Sequence, residues 1–198
     1  MLDLRSEEQL MEAAREGDDQ AFQTLALRLR TTVARFLRHM GCQDGLLDAL
    51  VQDTLLRLWA SRERYERRAS LKTYVLSIAR NLWLSHCGRE ARRPSRQVSP
   101  AAGELDRLLL HGHVHSDGPE ARMLADYRAF RVRRAIAELP ERQRAVFVLA
   151  HLEDLPYAEI AFALGIAEGT VKSRMSRAVR NLRHALAAEY PGLTHTEE

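Results

Sequence analysis

Residues 157–183 read YAEIAFALGIAEGTVKSRMSRAVRNLR, and the fold turns on this stretch. A short apolar helix ends at Gly165, which can take the positive φ that closes a helix. Pro156 stands where a first-turn proline is tolerated. In the longer helix that follows, at 100° per residue, Val171, Met175, Ala178, Val179, Leu182 and Leu186 fall on one arc. Lys172, Ser173, Ser176, Arg177, Arg180 and Arg183 fall on another. The first arc suits packing, while the second offers charge and hydroxyls to phosphates and base edges. A cationic helix taken alone is commonly no more than a solvated face. The tight helix–glycine–helix spacing favours instead a helix-turn-helix that presents its second helix to the DNA major groove.

The bulk properties set the frame. The chain has 198 residues, room for one large or two small domains, and a hydrophobic share of 45% that is ordinary for a folded protein. Its net charge of +3 is mildly basic and permits nucleic-acid contact without requiring it. The distribution says more: Arg89, Arg92, Arg93 and Arg96 form one cluster, and residues 172–183 another. No apolar run approaches the roughly 18 to 20 residues that span a bilayer, and the N-terminus lacks a signal peptide's basic start and apolar core. Cys42 and Cys87 fit no CxxC or zinc-finger spacing and read most simply as reduced thiols. The expectation is a cytoplasmic protein with no membrane insertion.

Upstream, the block to about Arg93 is helical throughout, with no sustained strand pattern. Asp18 or Asp19 can cap a helix carrying Phe22, Leu25, Leu29, Val33, Phe36 and Leu37, which Gly41 stops. A second helix carries Leu47, Leu50, Val51, Thr54, Leu55, Leu58 and Trp59 on one side. After the charged run 62–68, Ser70 can cap a third, with Leu71, Val75, Ile78, Ala79 and Leu82 inward. From Pro94 to Gly118 the periodicity fades while Pro, Gly, Ser and His accumulate, predicting a flexible linker with at most a short turn around 104–110. Helix resumes at Pro119-Glu120 and runs to Leu139-Pro140, and a further helix precedes the helix-turn-helix. The fold class predicted is all-α: two small helical domains, 1–93 and 119–190, joined by the linker 94–118 and ending in a short tail, 191–198.

Three segments extend the reading. They are Leu50-Val51-Gln52-Asp53-Thr54-Leu55-Leu56-Arg57-Leu58-Trp59, Ser70-Leu71-Lys72-Thr73-Tyr74-Val75-Leu76-Ser77-Ile78-Ala79-Arg80-Asn81, and Leu139-Pro140-Glu141-Arg142-Gln143-Arg144 with its apolar continuation. The first two resemble region 2 of extracytoplasmic-function (ECF) sigma factors of the sigma-70 family. The third, with the helix-turn-helix, resembles region 4. These subunits direct bacterial RNA polymerase to promoters, and both halves occur here in family order. The resemblance implies a promoter-specificity subunit, not an enzyme, with no cofactor and no metal, that binds core polymerase and promoter DNA and is held inactive by an anti-sigma factor.

Residue by residue, the resemblance implies core-polymerase contacts at Asp48, Gln52, Asp53 and Arg57. It implies capture of the −10 strand by Lys72, Tyr74, Arg80, Asn81, Trp83 and the loop 64–69. Unstacked bases need a stacking surface, hydrogen-bonding groups and cations for phosphate, and these residue types supply them. Leu55, Leu58 and Trp59 read first as core, and Tyr74 and Trp83 equally as buried anchors. At the −35 element, Lys172, Ser173, Ser176 and Arg177 approach bases, while Thr170, Arg174 and Arg180 serve phosphates. Lys172 lacks arginine's bidentate fork, so looser readout is expected at its base. The sequence departs from the family at Ala49, where an acid is usual, at Tyr74, where tryptophan is commoner, and at Ser85-His86-Cys87-Gly88, which replaces an Asp-x-x-Arg.

Two other classes stay open at this stage. One is a free-standing helix-turn-helix regulator that never engages polymerase. The other is a metal-sensing protein using His111, His113 and His115, whose alternating imidazoles would share one face of an extended segment.

Overall fold

The computed structural model describes residues 3–90 and 119–187, with side chains of 119–126 left aside. Among the described residues there are eight α-helices, one single 3-10 turn and no strand. The predicted linker 94–118, its His cluster, Arg92, Arg93, Arg96 and the tail from 191 lie outside them.

The first module holds α1 (Glu7–Arg15), α2 (Asp19–His39), α3 (Asp44–Ala60), the 3-10 turn Arg62–Arg64 and α4 (Leu71–Glu90). Each boundary has a chemical cause. Ser6 and Gln9 close a reciprocal capping box on α1. Of the two candidate caps on α2, Asp18 is the one used, accepting from the Ala21 amide at 2.9 Å. Gly41 ends the α2 segment at φ +96°. Ser70 accepts from the Thr73 amide at 3.2 Å and starts α4. The helix at α1 was not resolved as a separate element in the sequence, so the predicted second and third helices are α3 and α4. The departure at Ser85–Gly88 does not interrupt α4.

The apolar positions do what their spacing requires. Leu25, Leu29, Val33, Phe36 and Leu37 of α2 are sealed against Leu47, Leu50, Val51 and Leu58 of α3 and Leu71, Val75, Ala79 and Leu82 of α4. Burying each large aliphatic side chain contributes about 1.5–3 kcal/mol before entropy is charged against it.

The second module holds α5 (Pro119–Glu138), α6 (Glu141–His151), α7 (Tyr157–Leu164) and α8 (Glu168–Leu186). Gly165 adopts φ +61°, ψ +40° at the end of α7. Pro156 sits one position earlier than a first-turn proline, as the cap residue in extended conformation. Val171, Met175, Ala178, Leu182 and Leu186 of α8 are buried, and Val179 is half-buried.

The two modules do not stand apart. One continuous apolar cluster runs through both, and α4 of the first packs on α7 of the second. Nothing in the sequence pattern announced this seam.

Candidate nucleic-acid interface

The outward face of α8 is built by its inward one. Because five apolar residues at helical spacing pin the helix to α6 and α7, the intervening positions must face water. Lys172, Ser173, Ser176, Arg177, Arg180 and Arg183 are all exposed, as the arc predicts, while Thr170 and Arg174 are half-buried beside the module's body. Lys172 Nζ lies 3.1 Å from the Glu168 carboxylate one turn back, an exposed pair that a phosphate or base can displace at little cost. Ser173 donates to the Thr170 carbonyl at 3.0 Å. The rest of the face is a strip of guanidinium and hydroxyl groups along one side of a rigid helix.

On α3, Asp48, Gln52, Asp53 and Arg57 are exposed along a single face together with Leu56, which is 56% exposed. Asp48 pairs loosely with Arg30 of α2 at 3.3 Å. Leu58 is core and Leu55 half-buried. Trp59 takes an intermediate role, packed on Phe22 and covered by the Arg62 guanidinium at 3.8 Å from its ring centre.

The α4 candidates divide. Asn81 is exposed. Trp83 is half-buried and stacks on His86, with ring centroids 6.1 Å apart. Tyr74 is an anchor: its ring meets Tyr65 and its hydroxyl meets Ser61 Oγ at 3.0 Å. Lys72 and Arg80 point into the seam between the modules. Lys72 Nζ donates to the Glu153 carbonyl at 2.7 Å and lies 3.0 Å from its carboxylate. Arg80, only 12% exposed, reaches Glu141 at 3.5 Å, and its Nε finds no protein partner among the described residues. Burial pushes the Arg80 guanidinium below its usual range, against the pull of Glu141.

Sequence reasoning missed the residues that meet these cations. Glu153, in the turn before α7, is fully buried in side chain, and Arg35 of α2 forks onto both its oxygens at 3.1 and 2.8 Å. That fork holds Arg35 above its usual pKa range. Glu159 of α7 accepts from the Ser70 and Thr73 hydroxyls at the start of α4. Burial works to raise Glu159, but the two hydroxyl bonds outweigh it and leave the carboxyl below its ordinary value. The available signal was weak: an acid between Leu152 and Leu155, in a stretch otherwise reading as a buried turn.

Among the described residues no helix is long and apolar enough to cross a membrane, and no group of three His, Cys, Asp or Glu gathers.

Comparison with known proteins agrees with both modules. Residues 25–93 match the family described as Sigma-70 region 2, and residues 129–182 match Sigma-70, region 4. The chain is 30% identical over 177 residues to the ECF RNA polymerase sigma factor SigC of Mycobacterium tuberculosis, covering 89% of this chain and 87% of that one. It is 31% identical over 180 residues to the ECF RNA polymerase sigma factor RpoE of Cereibacter sphaeroides, covering 90% and 93%. In fold it resembles CnrH, solved in complex with the cytosolic domain of CnrY, with a TM-score of 0.63 at 22% identity over 90% of this chain and 96% of that one. It also resembles RpoE of Bartonella quintana, solved with the anti-sigma factor NepR, with a TM-score of 0.62 at 23% identity, covering 83% and 96%. With both regions matched in order, and relatives at this identity aligned over most of their length, the chain belongs to the ECF subfamily of sigma-70 RNA polymerase sigma factors.

Proposed function

We propose a division of labour within this promoter-specificity subunit. In it, α8 reads the duplex −35 element, α4 with the loop 64–69 holds the −10 strand, and the exposed face of α3 docks on core polymerase. The observation that carries the reading is the uninterrupted exposed strip on α8, from Lys172 through Arg180, held rigid by five buried apolar residues behind it. Lys172, Ser173, Ser176 and Arg177 read bases, and Thr170, Arg174 and Arg180 grip phosphates. On α4, Asn81 supplies amide hydrogen bonds and Trp83 a stacking surface, and Lys72 and Arg80 supply charge once they exchange Glu153 and Glu141 for the strand. Tyr74, bound to Ser61, acts by holding the loop rather than by stacking on a base. No covalent chemistry is involved; binding energy opens the duplex.

The domain roles follow: 1–93 engages polymerase and the −10 strand, 119–190 the −35 duplex, and 94–118 joins them. An anti-sigma factor is proposed as the regulating partner, since the Bartonella relative was solved with one. The cytoplasm, where polymerase works, is the proposed location.

Run-off transcription with core polymerase tests the reading. Adding the chain should start RNA at promoters that core enzyme ignores. Arg177→Ala should weaken −35 duplex binding by the holoenzyme by about 1–3 kcal/mol and relax preference at one base pair. Unchanged promoter selection by that variant would overturn the assigned face. Specific duplex binding by the chain with no response from polymerase would favour the free-standing regulator.

A further inference from the structure

The connection from α3 to α4 is closed from the inside by two tyrosines. Tyr65, 6% exposed, donates from its hydroxyl to the Ala69 carbonyl at 3.3 Å and so ties the start of the loop to its end. Its ring lies against that of Tyr74, with centroids 5.2 Å apart and planes tilted by 45°. The Tyr74 hydroxyl donates to Ser61 Oγ at 3.0 Å, and Ser61 Oγ donates to the Arg57 carbonyl, in the last turn of α3, at 2.8 Å. The backbone adds closures of its own. The Arg64 amide donates to the Ser61 carbonyl at 3.0 Å, and the Arg68 amide to the Glu66 carbonyl at 2.7 Å. With rings and hydroxyls filling its inner side, the loop turns Arg64, Glu66, Arg67 and Arg68 outward, and all four are exposed.

We propose that Tyr65 is a positioning residue for −10 selectivity, which with Tyr74 and Ser61 presets the loop in the shape that meets the strand; the role rests on the reading of loop 64–69 as part of the −10 surface. A loop that its ligand must order charges the lost backbone freedom to binding, whereas a loop already fixed does not. The benefit falls on choice more than on grip. A guanidinium attracts phosphate from many positions of a wandering loop, because the attraction is not directional and every strand carries the same charges. Discrimination among bases needs groups held at a set distance from Asn81 and Trp83 on α4, so that all of them meet one nucleotide at once. Phenylalanine at 65 or 74 keeps the ring packing and removes the hydroxyl tie alone. A tyrosine that merely stabilised the first module would, when changed, weaken every activity of the chain alike.

The test uses holoenzyme reconstituted from core polymerase and the full chain, challenged with a pool of short single-stranded DNA of random sequence. Sequencing the bound fraction reads base preference, and titration of the whole pool reads overall affinity. Tyr65→Phe should lower the enrichment of the preferred strands about two- to tenfold, the range that one neutral hydrogen bond allows. Pool affinity should fall less than enrichment, and −35 duplex affinity should stay the same. Tyr74→Phe should act in the same direction. Combined with Ser61→Ala it should lose no more than Ser61→Ala alone, because both changes break one bond. An Arg64→Ala, Arg67→Ala variant leaves the ties intact and should weaken pool binding. Parent-like enrichment in both phenylalanine variants, with pool binding still weakened by loss of the arginines, would overturn the positioning role. So would an equal loss of enrichment, pool affinity and −35 binding in Tyr65→Phe, which would mark a stabiliser of the fold. Parent-like pool binding without the two arginines would overturn instead the placing of the strand on this loop, and the positioning role with it.

Discussion

At the residue scale, His39 is the clearest case of chemistry set by surroundings. It lies at the end of α2, 9% exposed, and its Nδ1 meets no protein partner among the described residues. Burial holds its imidazole below the ordinary 6.5; Glu153 pulls the other way, and Arg35 and Arg38 add to the lowering. The folded chain therefore refuses a proton that the unfolded chain accepts. Stability is complete above pH 6.5 and is lost as the pH falls from there through the depressed folded value. Glu159 adds a second loss lower down, because its folded value lies below the ordinary 4.5. Thermal unfolding followed from neutral to mildly acidic pH should show Tm falling first below about 6.5, and His39→Gln should flatten that first fall. An unchanged slope in the variant would assign the loss to another group. His39 illustrates what the sequence hides: its place on α2 was legible from the apolar spacing, but its burial comes from a seam between distant segments.

At the scale of elements, α7, Gly165 and α8 form the unit that the sequence made plainest. Apolar residues at helical spacing must share a face, and the polar ones between them must face water, so both arcs of α8 are legible without a structure. The turn is equally legible, since φ +61° is a conformation that favours glycine. Space is open around Gly165, so the cost of a side chain there is backbone strain alone. Gly165→Ala should destabilise the second module by about 1 kcal/mol in urea unfolding and weaken −35 binding by tilting α8. Less legible were Lys72 and Arg80. Their charge pointed to nucleic acid, yet nothing local to α4 says that Glu153 and Glu141 reach them from residues more than 60 positions away. Long-range pairing of charge leaves no period in the sequence. The helix α1 was missed as a distinct element for a different reason. Its local signal is the Ser6–Gln9 capping box, which is weak beside the long apolar pattern of α2.

At the scale of the whole molecule, the two modules were legible one by one and their contact was not. The contact has a narrow point at Gly41. Its φ of +96° already disfavours a side chain, and a Cβ there would come within 3.0 Å of Arg144 Nη1, the group that ties the second module to the Met40 carbonyl. Gly41→Ala should therefore act twice, straining the end of α2 and pushing on the tie. Small-angle scattering should show a larger radius of gyration for the variant. Thermal unfolding should begin earlier, by the several degrees that about 1–2 kcal/mol implies for a domain of this size. A variant as compact as the parent would mean that Arg144 simply swings aside.

The exposed side of α3 carries a last consequence. Asp48, Gln52, Asp53, Leu56 and Arg57 lie on the outside of the folded pair, clear of the seam. On the proposed docking of core polymerase to this face, the handle is already presented while the two modules stay packed together. Capture on that proposed face needs no prior parting of the modules, only a surface that already looks outward.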